Sequence, residues 1–142
     1  MTDLLDVNLL VSLAWPNHVH HAASQRWFRA RGPEPWATTP VTESGFVRVS
    51  SNRSAIATAV PPSEALALLS RIRGVPGHVF FADDVEAVLG DHVDPLRVVT
   101  HAMVTDAHLL AVARRHSARL ATLDRGLAAL TGARCGDVVL VR

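Results

Sequence analysis

Four carboxylates occupy settings in this chain that suit chemistry better than surface solvation. Asp6 lies inside the apolar run LLDVNLL (4–10), Glu43 inside TESGFVRV (42–49), Asp106 inside VTDAHLLAVA (104–113) and Asp124 inside LATLDRGL (120–127). A carboxylate drawn into an apolar run without a partner costs several kcal/mol, roughly, so each of these acids needs something to hold it. On a helix the residues at i+3 and i+4 share a face with residue i. From Glu43 these are Phe46 and Val47, from Asp106 Leu109 and Leu110, and from Asp124 Leu127 and Ala128. Each acid is therefore expected on the apolar stripe of its own helix, facing the body of the protein. Taken singly, an acid near a helix start is explained by capping and by the helix dipole. Four such acids converging on one place repel one another, and a divalent cation removes that cost. Mg²⁺ and Mn²⁺ prefer oxygen ligands and are often bound by only one or two carboxylates, whereas zinc asks for His or Cys at ligand spacing. An acidic metal site of this kind suits phosphodiester hydrolysis, by activating water and stabilising charge on phosphate oxygens.

These acids must be positioned by an alternation of strands and helices. Residues 2–6 read as a short buried strand and 7–14 as a helix ending at Trp15-Pro16. A second helix is expected from His18 to Arg31, broken by Gly32-Pro33, and a strand from Trp36 to Thr38. Thr39-Pro40 supplies an N-cap and a proline at the first helical position for a helix to about Ser51. Pro61-Pro62-Ser63 opens another helix to Arg73, followed by a strand over His78–Ala82 and a short helix over Asp84–Leu89. Thr105–His116 reads as a strong helix opened by Asp106, with Thr105 in a capping position. Arg119–Thr122 reads as a strand, Asp124–Leu130 as a short helical segment and Val138–Val141 as a final strand. The pattern predicts one α/β domain over residues 1–142 around a mainly parallel sheet, in which sites form beyond the C-terminal ends of strands.

Composition narrows the class further. The chain has 142 residues, 49% of them hydrophobic, enough for one domain with a sizeable core. No apolar run approaches the roughly 18 residues of a membrane helix, and the acidic N-terminus does not read as a signal peptide. With one cysteine, Cys135, no internal disulfide is expected and a cytoplasmic protein is favoured. All 14 basic side chains are Arg, a usage that base composition of the genome explains and that also provides phosphate-gripping forks. Asp83, Asp84, Glu86, Asp91 and Asp94 form an acidic stretch without Arg, so the rest of the chain is net basic, which is compatible with nucleic-acid binding. That stretch is expected to be a solvated helix and loop away from the active face.

In order and spacing, the four acidic motifs resemble the signatures of PIN-domain ribonucleases, and in particular the VapC-type toxins of type II toxin–antitoxin pairs. The resemblance spans essentially the whole chain. It implies a three-layer α/β/α fold, endonuclease activity on RNA with Mg²⁺ or Mn²⁺, and products bearing a 5′-phosphate and a 3′-hydroxyl. It also implies a homodimer, inhibition by a cognate antitoxin in a hetero-oligomer, and no membrane association. Asp6 and Asp106 match the metal-binding acids most directly, and Glu43 and Asp124 match those that complete the site. Asn8 and Thr105 match supporting polar positions. The family often carries a further acid after the fourth motif. Here Asp124 is followed by Arg125, Gly126 and Leu127, which argues against a fully occupied second metal site.

Other features are read more plainly. His18 and His21 in HVHH have no evident third ligand and read as a solvated helix start. Trp15, Trp27, Trp36 and Phe28 read as core and interface packing rather than base-stacking platforms. Arg48, Arg53 and Arg125, close in sequence to the acidic motifs, are candidates for contacts with RNA phosphates. Two other readings compete with the ribonuclease: a nucleic-acid-binding or regulatory module without catalysis, which has no need of four acids, and a metal-dependent nuclease acting on structured DNA.

Overall fold

A computed structural model describes residues 1–86, 91–132 and 134–142. Five short strands form one parallel sheet in the order β3-β2-β1-β4-β5: β1 (Asp3–Leu5), β2 (Trp36–Thr38), β3 (His78–Phe80), β4 (Arg119–Thr122) and β5 (Val138–Leu140). The helices are α1 (Val7–Ala14), α2 (His21–Ala30), α3 (Pro40–Ser50), α4 (Pro62–Arg73) and α5 (Met103–Arg115). Strand residues alternate between two cores. Leu4, Ala37 and Leu120 pack with Leu109, Leu110 and Ala113 of α5 on one face. Leu5, Trp36 and Ala121 pack with Leu9, Leu10, Phe46 and Leu69 on the other. The period of two along each strand thus separates the layers, giving the expected α/β/α arrangement. No helix among the described residues is long and apolar enough to cross a membrane.

Local chemistry accounts for most element boundaries. Pro40 at the start of α3 follows Thr39, which forms a capping box with Thr42, and Pro62 similarly begins α4. α1 and α3 approach closely because position 45 is glycine: a Cβ there would lie 2.5 Å from Val7 Cγ2. Backbone pairing also runs one residue beyond several strands. Asp6 N–H donates to Ala121 O (3.0 Å) and Val141 N–H to Thr122 O (2.8 Å).

Strand ends differ from the sequence reading by a residue or two, β3 ending at Phe80 rather than Ala82, β1 being shorter by a residue at each end and β5 by one at its C-terminal end, and three helix boundaries differ as well. α2 begins at His21, because residues 18–20 form a turn in which His18 Nδ1 accepts from His20 N–H (3.0 Å). α5 begins at Met103, two residues before Thr105, so Asp106 lies inside the first turns rather than at the opening. Its N-cap is Ala102, and Thr105 is an exposed helix residue rather than a cap. The expected helix at 84–89 is not helical over 84–86, and its remaining residues lie outside the described ones. Instead, side chains of α5 and its C-terminal turn hold the start of the acidic stretch: His108 Nε2 meets Asp83 Oδ1 at 2.8 Å, and Arg115 and His116 flank Asp84 at 3.5 and 3.3 Å.

At the N-terminal end of β1, Asp3 is 1% exposed and fully ion-paired. Its carboxylate accepts from Arg31 Nε (2.8 Å) and, through both oxygens, from Arg119 Nε (2.7 Å) and Nη2 (3.0 Å). The Arg31 side chain is 7% exposed and its guanidinium lies over Trp27 (5.3 Å). This triad joins α2 and β4 to β1. Removing one member of a buried ion pair leaves an uncompensated charge. Asp3→Ala is therefore expected to lower unfolding free energy by about 3–5 kcal/mol in urea titrations; a loss below about 1 kcal/mol would show the pair to be dispensable.

Candidate active site

β1 carries a second acid at its other end, and the two have opposite surroundings. Asp6 is 6% exposed, and its backbone is extended (φ −73°, ψ 171°) as the N-cap of α1. Oδ1 accepts from Leu9 N–H at 2.8 Å, and Oδ2 accepts from the Thr122 hydroxyl. Neither partner is a cation. Burial outweighs both hydrogen bonds and, with the nearby charges of Asp106 and Asp124, pushes the carboxyl up to about 6.

Thr122, the last residue of β4, connects two of the acids. Its Oγ1 accepts from Asp124 N–H (2.9 Å) while its hydroxyl donates to Asp6. Asp124 caps the 3-10 turn Arg125–Leu130, with Oδ1 accepting from Gly126 N–H at 2.8 Å. As a cap it turns back on its own turn and is exposed, unlike the inward-facing acid expected from the helical stripe; Leu127 alone of the stripe is buried. Asp106 is half-buried on α5, and burial, followed by the charge of Asp124, raises its carboxyl above the usual range. Asp6, Asp106 and Asp124 are thus brought within electrostatic reach of one another. They stand at the C-terminal edge of the sheet where β1 and β4 adjoin. The strand order reverses there, a position that opens a crevice in parallel sheets.

Glu43 has different partners. In the first turn of α3, its Oε1 accepts from the Thr38 hydroxyl (2.7 Å) and lies 3.4 Å from Arg73 Nε. Thr38 Oγ1 is also 2.8 Å from His78 Nε2, so the imidazole N–H is the donor into that hydroxyl when the hydroxyl donates to Glu43. Burial and the nearby Arg73 lower the His78 imidazole below its usual range. Among the described residues, no three His, Cys, Asp or Glu side chains gather closely enough to hold an ion among them. Asn8, Thr105, Arg48, Arg53 and Arg125 are all exposed. Arg48 lines a groove of about 540 Å³ between α3 and α4, with Glu43, Val47 and Leu66. HVHH is tied into local structure, His21 Nδ1 lying 2.7 Å from Ser12 O. Trp36 is buried, and Trp15 and Trp27 pack against the second core.

Sequence reasoning missed Thr122, Thr38 and Arg73. A hydroxyl at the end of a strand, one or two residues from an acid or a capping turn, was the available signal for the two threonines. Arg73, thirty residues from Glu43, carried none.

The family model for the PIN domain matches residues 4–133. The chain belongs to the PIN-domain family. This PIN domain is 51% identical to Ribonuclease VapC39 of Mycobacterium tuberculosis over 128 residues, covering 90% of the chain and 92% of that protein. It is 50% identical to Ribonuclease VapC38 of the same organism over 124 residues, covering 87% and 86%. Among solved structures it is similar to Mycobacterium tuberculosis VapC20, described as a sarcin–ricin-loop-cleaving toxin. That likeness has a TM-score of 0.62 at 16% identity, covers 89% of this chain and 93% of that one, and is one of fold.

The Asp6 environment has a consequence in pH. An unfolded Asp ionises near ~3.9, and the folded one near about 6. Between these values the folded state binds more protons than the unfolded state. Stability in chelator should therefore increase as pH falls from 7 toward 4, and is lost again as pH rises through the folded value. Asp6→Asn keeps an acceptor for Leu9 N–H but cannot ionise. It is expected to be more stable than the parent at pH 7, by up to about 3 kcal/mol, with a flatter pH profile in urea melts. Asp6→Ala also loses the cap, at a cost of about 1 kcal/mol. An Asn variant less stable than the parent at pH 7 would contradict this account.

Proposed function

We propose that this PIN domain is an endoribonuclease toxin of the VapC type, which hydrolyses RNA phosphodiester bonds and uses Mg²⁺ or Mn²⁺. The observation that carries the reading is the trio Asp6, Asp106 and Asp124 at the β1/β4 crevice, with burial and mutual repulsion holding two of its carboxyls above their usual range. The donor set fits a hard divalent ion, because every group is a carboxylate oxygen. Mg²⁺ keeps several waters and takes one or two protein carboxylates, so it does not need three acids closing on it. The identities to two VapC ribonucleases support the activity.

Asp6 and Asp106 are assigned to holding the ion. When bound, a divalent cation supplies Lewis acidity toward the scissile phosphate and the attacking water. Asp124, exposed and fixed by Gly126 N–H, orients that water from the open side. Thr122 fixes the Asp6 carboxylate, and Glu43 completes the acidic edge. Asn8 and Thr105 support the site, while Arg48, Arg53 and Arg125 meet RNA phosphates. A cytoplasmic homodimer, joined by a cognate antitoxin into a hetero-oligomer that blocks cleavage, completes the reading. A binding module without chemistry would gain nothing from a buried carboxyl raised to about 6.

Asp6→Asn and Asp106→Asn are expected to lower cleavage of total cellular RNA by at least about a hundredfold, and to abolish growth inhibition, while both variants stay folded by circular dichroism. EDTA should abolish wild-type cleavage and excess Mg²⁺ restore it. Full cleavage by Asp6→Asn, or in EDTA, would overturn the assignment; cleavage confined to structured DNA would redirect it.

A further inference from the structure

Phe80, the last residue of the edge strand β3, is 45% exposed. Its neighbour Phe81 points to the other face, where it is buried and stacked on His116 at 4.3 Å. The Arg73 guanidinium at the C-terminal end of α4 lies 5.2 Å from the Phe80 ring centroid, and its Nε is 3.4 Å from Glu43 Oε1. The Arg73 side chain remains 44% exposed. β3 runs parallel to β2, so Phe80 ends at the same edge of the sheet as Asp6 and Asp124. Two strand spacings separate β3 from β1, roughly 10 Å, a span that an RNA strand covers in a nucleotide or two.

We propose that Phe80 and Arg73 form a nucleotide subsite on the flank of the acidic edge, in which an unpaired RNA base stacks on Phe80 and the adjoining phosphate meets Arg73. The proposal deepens the ribonuclease reading and rests on it. Aromatic rings bind single-stranded bases through their faces, and a neighbouring guanidinium adds cation–π and phosphate contacts. An exposed aromatic beside an exposed cation, continuous with an acidic edge that must receive a polyanion, matches an RNA nucleotide in both shape and charge. The Arg73–Glu43 ion pair places this flank next to the site and gives the guanidinium a fixed starting position. The Thr38 hydroxyl, itself bonded by His78, donates to the same Glu43 oxygen.

The test uses a short single-stranded RNA carrying 2-aminopurine, with the full chain in the Asp6→Asn background so that the RNA stays intact. Phe80→Ala is expected to weaken binding about tenfold and to abolish the stacking-dependent change in 2-aminopurine fluorescence, while Phe80→Trp retains both. Arg73→Ala should lower the slope of log affinity against log salt by about 0.7, and Arg73→Lys should restore it. In the active protein, Phe80→Ala should act on KM more than on kcat. Unchanged affinity and fluorescence in Phe80→Ala, beside a wild type that cleaves RNA, would overturn the subsite alone. Absence of cleavage by the wild type would overturn the ribonuclease reading itself. Conversion of a dimer to a monomer by Phe80→Ala in sedimentation would assign this sheet edge to a second copy and also overturn the subsite.

Discussion

Asp6 is buried where β1 gives way to α1, and its partners are a main-chain amide and a hydroxyl rather than a cation. The contrast with Asp3, three residues earlier on the same strand, defines what this means. Asp3 is equally buried and takes hydrogen bonds from two guanidinium groups that join β1 to α2 and β4. It is a structural anion with its charge balanced inside the chain. Asp6 has two further acids in electrostatic reach and is pushed up to about 6. One end of β1 is neutralised by two arginines, and at the other the carboxylate is held only by an amide and a hydroxyl.

The remaining architecture holds that imbalance in place. The parallel order puts β1 beside β4, so the residue after one strand and the last residue of the other meet at the crevice where the order reverses. Thr122 uses both hydrogen-bonding capacities of its hydroxyl, donating to Asp6 and accepting from Asp124 N–H. The start of α1 supplies an amide and a favourable dipole for a carboxylate. These contacts fix the direction of Asp6 without cancelling its charge. α5 presents Asp106 from the opposite layer, on a helix whose Leu109, Leu110 and Ala113 lock it against the sheet.

Much of this was legible in the sequence because it depends on local signals. Thr39-Pro40 marks the start of α3 and Pro61-Pro62 that of α4, and strand segments alternate with helical ones along the chain. Of the four acids embedded in apolar runs, Asp6, Asp106 and Asp124 come within electrostatic reach of one another, while Glu43 takes Thr38 and Arg73 as partners. What was not legible depends on contacts between distant residues. α5 begins at Met103, whose side chain packs against the first core, and so runs past a hydroxyl at Thr105 that looks like a cap. Asp124 turns outward because a 3-10 turn, not an α-helix, follows it, and its carboxylate folds back onto Gly126 N–H. The ion pair between Glu43 and Arg73 joins two helices that no periodicity relates. Asp3 gave no sign of its two arginines, one of them 116 residues away.

The central claim is that the charge missing at Asp6 is supplied by a divalent cation. It is tested most directly by following the Asp6 side-chain carboxyl by carbon-13 NMR through a pH titration, first in chelator and then with saturating Mg²⁺. The account predicts a midpoint near 6 in chelator, and a fall to below the ordinary aspartate range, near ~3.9, once Mg²⁺ is present. The same midpoint in both conditions would contradict it.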